Sequence, residues 1–399
     1  AIAPIKAHTN PRPMKVYFKN LDGLRFIAAL LVLIHHASFF KIESIEGVSA
    51  VYHRYTEQFG LLGVNLFFVL SGFLISYLLM AEQQRTGTTN IRNFYTRRIL
   101  RIWPLYYFYG LSVTLLAPPV LGWLGMGEQW DWQTIGINLL FLVFFAVNIQ
   151  MAFFRYNQGI AEITWSVCIE EQFYMVWPWF MRWYKNRLFQ LFIAVVVVSM
   201  LTKVLFFVLM KAGYITDHRM RLINYVFILN RLELFGMGML GAWFFFNRER
   251  YRKFYGRLFH RGVQWVMWAV TFLFVLDIFH LPPTFRYFFG HGLSALLFCY
   301  IIVAPVTEKS VVNFEQPILR TLGRISYGIY LYHTVVCQLT IMMFARVLKI
   351  PAGSFIAYDI IYPLICLLLT VMVAYASYQL FEKRFLEIKQ RIGVIQTRI

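Results

Sequence analysis

The sequence predicts an all-α fold: a polytopic transmembrane helix bundle of about ten crossings. Three observations carry that expectation. Stretches of about 20 apolar residues, the length that crosses a bilayer core, recur from one end of the chain to the other. The 399 residues are 59% hydrophobic and only 14% charged, with 40 Phe, 24 Tyr and 11 Trp and a mean hydropathy of +0.58. Period-two alternation is missing, which argues against a transmembrane barrel.

Eleven apolar segments are expected, at about 21–40, 60–80, 99–117, 133–152, 164–181, 188–209, 224–246, 262–281, 288–306, 318–345 and 356–381. Residues 1–15 read as a mobile polar arm, 16–386 as one transmembrane domain, and 387–399 as a basic cytoplasmic tail. No cleavable signal peptide is visible, so the first span is the expected targeting signal.

Loop charge sets the orientation. Residues 1–25 carry five Lys/Arg, 81–101 five, 247–261 six and 382–399 five, whereas 118–131 carry none. The positive-inside rule places the four basic segments, and both termini, in the cytoplasm. The basic stretch 182–187 belongs there too, which leaves 153–163 outside together with 118–131. Segment 133–152 then begins and ends on one side. Ten crossings are therefore predicted, with 133–152 re-entrant or lying against the bundle; irregular backbone at that depth must be covered by protein.

The same charge pattern excludes nucleic acid as a partner. The net charge of +19 is concentrated in loops between apolar spans; such a face attracts polyanions by long-range field. Cys168, Cys299, Cys337 and Cys366 all lie in apolar segments without ligand spacing and read as buried thiols. No His/Cys/Asp/Glu set suggests a metal site.

Ionisable residues inside apolar spans are costly and are the first functional candidates. In NLDGLRFIAALLVLIHHASFF, Arg25 and His36 are eleven positions apart, close to three helical turns, so both project from nearly one face. They are roughly 16 Å apart along the axis. His35 points about 100° away. The bland alternatives are an arginine snorkelling at the interface and a histidine bonded to a neighbouring helix. In FYTRRILRIWPLYY, Arg98 and Arg101 share a helical face and suit phosphate recognition, or simple anchoring.

In ITWSVCIEEQFYMVWPWF, Trp165 and Ser166 precede Glu170 and Glu171, of which one or both must be buried and partnered. In GVNLFFVLSGFLISYLL, Gly63, Ser71 and Gly72 permit close helix approach. In LGRISYGIYLYH, Ser326 and Tyr330, and likewise Tyr330 and His333, are spaced to share a face, which adds a second intramembrane histidine. YQLFEKRF ends the last span with Glu382.

The ordered set LDGLRFIAALLVLIHH, GVNLFFVLSGFLIS, RRILRIWPLYY, ITWSVCIEEQFYMVWPW, LGRISYGIYLYH and YQLFEKRF resembles the integral membrane acyltransferase-3 family, from about residue 17 to 386. Each piece alone is weak; six in order are specific. Arg25 and His36 match the family's arginine and histidine with ten residues between them. Arg98 and Arg101 match its Arg-x-x-Arg. Trp165, Ser166, Glu170, Glu171, Gln172, Phe173 and Tyr174 match its Trp-Ser…Glu-Glu-Gln-Phe-Tyr run. Asn65 departs from an aspartate common in the family, and a structural amide is the expected replacement. Some members continue into an extracytoplasmic hydrolase-like domain. With the sequence ending at residue 399, the bundle is expected to complete the transfer itself or to hand the acyl group to another protein.

The resemblance implies O-acylation of a sugar in an envelope polymer or glycoconjugate at a bacterial inner membrane, with acetyl-CoA the usual donor. On that basis acyl-CoA is expected to dock from the cytoplasm on Arg98, Arg101 and Arg25. Its arm would run toward His36, acting as general base or as transient acyl carrier. Glu170 or Glu171 would orient the histidine or balance its charge. Trp165, Ser166, Tyr330 and His333 are expected along the substrate path. Two rival classes remain: a transporter or flippase of an anionic or lipid-linked glycan, which uses the same residue types, and a scaffold with a degenerate site.

Overall fold

A segment that must satisfy its own backbone in lipid does so as a helix, and in the computed structural model the apolar stretches are mostly helical. The structure describes residues 14–46, 53–123, 132–154, 159–392 and 395–397. A short strand, β1 (Met14–Val16), leads into α1 (Leu21–Ser44), α2 (His53–Thr86) and α3 (Ile91–Trp123). After α4 (Trp132–Val143), α5 (Val147–Phe153) and a 3-10 turn (Gly159–Thr164) come α6 (Trp165–Trp183), α7 (Leu188–Lys211), α8 (Asp217–Val226) and α9 (Ile228–Phe246). The second half holds α10 (Arg252–Leu258), α11 (Arg261–Val275), α12 (Pro283–Val303), α13 (Pro317–Arg324), α14 (Ser326–Met342), α15 (Tyr362–Ser377) and α16 (Lys383–Gln390). Strand β2 (Ile395–Thr397) pairs in parallel with β1, Met14 opposite Ile395. That ribbon joins the segments expected as an arm and a tail; residues 1–13, 393–394 and 398–399 lie outside the described residues.

Seven of these helices are long and apolar enough to cross a membrane, and eight if α10 and α11, bent by 53°, form one span. α6 and α9 are 19 residues each, roughly 28 Å at helical rise, and their charged residues lower their hydropathy. Adding them gives the ten expected crossings.

Segment 133–152 is not a continuous span. α4 has 12 residues, about 18 Å, short of the roughly 30 Å core. The chain breaks at Phe144–Ala146, with Phe145 at φ 52°, before α5. Protein covers that break. The Gln172 amide of α6 donates to the Phe145 carbonyl and to Asn148 Oδ1, both at 2.8 Å. The Asn148 amide returns a bond to Gln172 Oε1 at 3.2 Å. Irregular backbone at membrane depth thus finds its hydrogen bonds inside the bundle, as the physics requires.

At the centre, α1 packs between α2 and α14, and α2 packs against α9 and α12. Close approach of α1 and α2 needs Gly63: a Cβ there would stand 2.6 Å from the Ala28 carbonyl oxygen. Gly72 serves the α2–α9 crossing in the same way, facing the Phe235 backbone. Small residues at such contacts let dispersion forces act where lipid offers no hydrophobic drive.

Candidate active site

The entry of α1 is pinned first. Asn20, at φ 70°, accepts the Phe314 N–H at 2.6 Å and donates to the Pro305 carbonyl at 2.8 Å. Tyr17 donates to Glu315 at 2.6 Å; burial and the carboxylate push its hydroxyl up to about 12. From this anchored start α1 presents Arg25, whose guanidinium donates to Asp22 one turn back at 2.7 Å.

Arg25 meets the two arginines of α3 in one cavity of about 1210 Å³ counting its open mouth. Arg98 and Arg101 line it, with Glu170 of α6 and Ser71 of α2. Arg98 lies between the Phe94 and Tyr174 rings, 5.9 and 5.5 Å from their centroids, and its buried Nε has no hydrogen-bond partner. Among the described residues neither Arg98 nor Arg101 has a carboxylate within ion-pair distance, whereas the neighbouring Arg97 is paired with Glu82. Lys389 is buried on α16, where that helix packs on α3. With Arg25 paired to Asp22, the cavity sets Arg98 and Arg101 against Glu170 alone, an excess of positive charge that suits an anion from outside the chain.

The two carboxylates separate. Glu170 faces the cavity and accepts from Ser71 Oγ at 2.7 Å, and Ser71 in turn accepts from Tyr174 at 3.0 Å. Ser71, expected only to allow close packing, is thus a polar wall residue. Glu171 faces α3, where Trp103 donates to it at 2.8 Å; its second oxygen is buried without a partner. Neither is a hydrogen-bond or ion-pair partner of His36 among the described residues.

A hydroxyl pair also lines the cavity. Ser166 and Tyr330 are 2.5 Å apart, and Tyr330 also donates to the Ile163 carbonyl at 3.2 Å. One turn further along α14 stands His333, its ring 5.9 Å from that of Tyr330. His333 Nε2 is 3.2 Å from His36 Nδ1. His35 turns instead to α2, with Nδ1 3.1 Å from the Thr56 carbonyl, as a 100° offset dictates. The polar groups therefore run from the arginines through Ser166 and Tyr330 to the histidine pair, along α1 and α14. His36, His333, Glu171 and Trp165 do not line the cavity.

Trp165 faces a second buried network, one that the sequence reading passed over. Arg231 of α9 lies 5.7 Å from the Trp165 ring and 5.3 Å from that of Tyr225. Its guanidinium donates to Asn65 Oδ1 at 2.5 Å and to the Tyr225 carbonyl, and Asn65 donates to Ser294 at 3.0 Å. Beside it Lys203 pairs with Glu233 at 2.5 Å. The signal was available: Arg231 and Glu233 stand in the apolar run LNRLELFG, and an ionisable residue in a span is a candidate by default. Glu382, at the end of the last long helix, is buried and accepts from Ser377 at 3.2 Å. Among the described residues no group of three His, Cys, Asp or Glu stands close enough to hold a metal ion.

A family model described as an acyltransferase domain matches residues 18–379. The chain belongs to the acyltransferase-3 family. The peptidoglycan O-acetyltransferase OatA of Listeria monocytogenes is 27% identical over 359 residues, covering 82% of this chain and 51% of OatA. YrhL of Bacillus subtilis, provisionally named a peptidoglycan O-acetyltransferase, is 28% identical over 172 residues, 41% of this chain and 24% of its own. SACOL0978 of Staphylococcus aureus, provisionally named an O-acetyltransferase, is 23% identical over 377 residues, 83% of this chain and 52% of its own. The chain spans at most about half the length of these relatives. No solved structure matches it. For an acyltransferase-3 member, the arginine cavity and the histidine pair are the parts whose chemistry needs assigning.

Proposed function

We propose that this acyltransferase-3 member moves an acyl group, acetyl first, from cytoplasmic acyl-CoA to a hydroxyl of an envelope carbohydrate. A peptidoglycan-type sugar is the favoured acceptor, because OatA carries that name. The observation that carries the reading is the cavity in which Arg25, Arg98 and Arg101 converge while Arg98 and Arg101 lack a carboxylate partner among the described residues. Guanidinium groups suit phosphate oxygens by their planar fork, and CoA is rich in phosphate.

The donor supplies the thioester; the chain's residues do the rest. Arg98 and Arg101 bind phosphate, with Arg25 held ready by Asp22. Ser166 and Tyr330, which line the cavity, meet the thioester or the acceptor. His36 acts as general base on the acceptor hydroxyl. Glu170 remains at the cation end, bonded to Ser71, where it limits the net positive charge. Orientation follows from the basic segments, which put the arginine mouth and both ends of the chain in the cytoplasm.

The test is donor binding. The affinity of purified wild-type protein for acetyl-CoA, measured by titration calorimetry, should fall as ionic strength rises. Arg98→Ala and Arg101→Ala should weaken it, and Arg98→Lys should recover part of the loss. No binding by folded wild-type protein would overturn the assignment of the cavity and favour the glycan-transporter reading.

A further inference from the structure

His36 Nδ1 has two neighbours: the Val32 carbonyl at 3.0 Å and His333 Nε2 at 3.2 Å. His333 Nδ1 in turn stands 3.3 Å from the Ile329 carbonyl. A carbonyl oxygen only accepts, so each carbonyl calls for a proton on the Nδ1 beside it. His333 is then the Nδ1–H tautomer with a bare Nε2. That Nε2 can only accept, and His36 Nδ1–H is the donor that meets it, shared with Val32. His36 Nε2 is left with its lone pair free, and no hydrogen bond to it is found among the described residues. Two ordinary helix carbonyls thus fix the tautomers of both rings, and the free lone pair falls on the nitrogen that a base requires.

We infer that His333 is the positioning residue of His36, fixing its tautomer and orientation by accepting from Nδ1–H, as the carboxylate of a serine-protease triad does. This rests on the reading of His36 as the base. As the acceptor oxygen bonds to the acyl carbon, its proton passes to His36 Nε2. The positive charge is shared when His36 Nδ1–H moves toward His333 Nε2, while the Ile329 carbonyl holds the other His333 proton. When the C–S bond breaks, the CoA sulfur takes the proton from His36 Nε2, and His36 Nδ1 recovers its own. No proton is gained or lost over the cycle. His333 is fully buried and belongs to α14, which packs along α1. Both rings are therefore held by packed helices.

Two variants and one spectrum test it. His333→Leu should lower kcat about 10²-fold, the scale of a positioned proton-transfer group, with the KM for acetyl-CoA unchanged because the arginine cavity is untouched. His333→Gln places an amide oxygen near the position of Nε2 and should restore kcat to within about tenfold of wild type. In ¹⁵N-histidine spectra of the wild-type protein, assigned by difference against His36→Gln and His333→Gln, both rings should be Nδ1–H tautomers. Wild-type kcat in His333→Leu overturns the inference, and so does an Nε2–H tautomer at either ring. Wild-type turnover in His36→Ala would instead sink the underlying reading of the base, while the tautomer result would still stand on its own.

Discussion

Arg98 is held between two aromatic rings with a buried Nε that has no hydrogen-bond partner among the described residues, which leaves a donor open to a ligand. A charge-assisted hydrogen bond contributes about 1.5–3 kcal/mol. Arg98→Ala should therefore weaken acetyl-CoA binding roughly 10- to 150-fold, read by calorimetry at fixed salt, with far less effect on the turnover of saturated enzyme. The positions of Arg25 and His36 were legible at this scale because 3.6 residues per turn places positions 25 and 36 on one face without any tertiary information. The choice between Glu170 and Glu171 was not. Adjacent residues differ by about 100°, and only the packing of α6 against α2 and α3 turns Glu170 to the cavity and Glu171 to Trp103. The histidine partner was hidden for the same reason: sequence put Tyr330 and His333 on one face of α14, and the α1–α14 contact brings that face to His36.

At the scale of elements, α1 carries both Arg25 and His36, so its seating on α2 governs the site. Gly63→Leu would drive a side chain into the Ala28 carbonyl and should destabilise the fold by about 1–3 kcal/mol, seen as a lower Tm in detergent with turnover lost in parallel. Beyond His36, the far end of α1 is tied by Lys41 to Asp359 at 2.5 Å, both side chains nearly wholly buried. Removing one member of a buried pair strands the other charge, so Asp359→Ala should cost about 3–5 kcal/mol. The double replacement of Lys41 by Met and Asp359 by Leu should recover most of that loss, because no charge is left unpaired. The broken segment 133–152 was inferred from loop charge alone, since its composition reads as an ordinary span. The break at Phe144–Ala146 is satisfied by Gln172, 27 residues further along the chain, and no periodicity argument reveals it.

For the whole molecule, the helical bundle and its order of spans were visible in apolar length, because lipid leaves so few backbone solutions. The buried Arg231–Asn65 and Lys203–Glu233 groups were less visible, since each pairs residues of different helices, α9 with α2 and α9 with α7. The proposed orientation makes a test by labelling. In a cysteine-free background, Arg252→Cys and Arg391→Cys should react only from the cytoplasmic side and His280→Cys only from outside. The opposite pattern would put the arginine cavity on the wrong face for acyl-CoA.

The most direct measurement is CoA release from acetyl-CoA by purified protein in lipid, with muropeptide or crude envelope glycan as acceptor. Wild type is run beside His36→Ala, and donor binding is measured in both. The account predicts acceptor-dependent CoA release by the wild type, and its loss in His36→Ala with donor binding retained. Equal release by the two proteins, or donor binding without acceptor-dependent release, would contradict it.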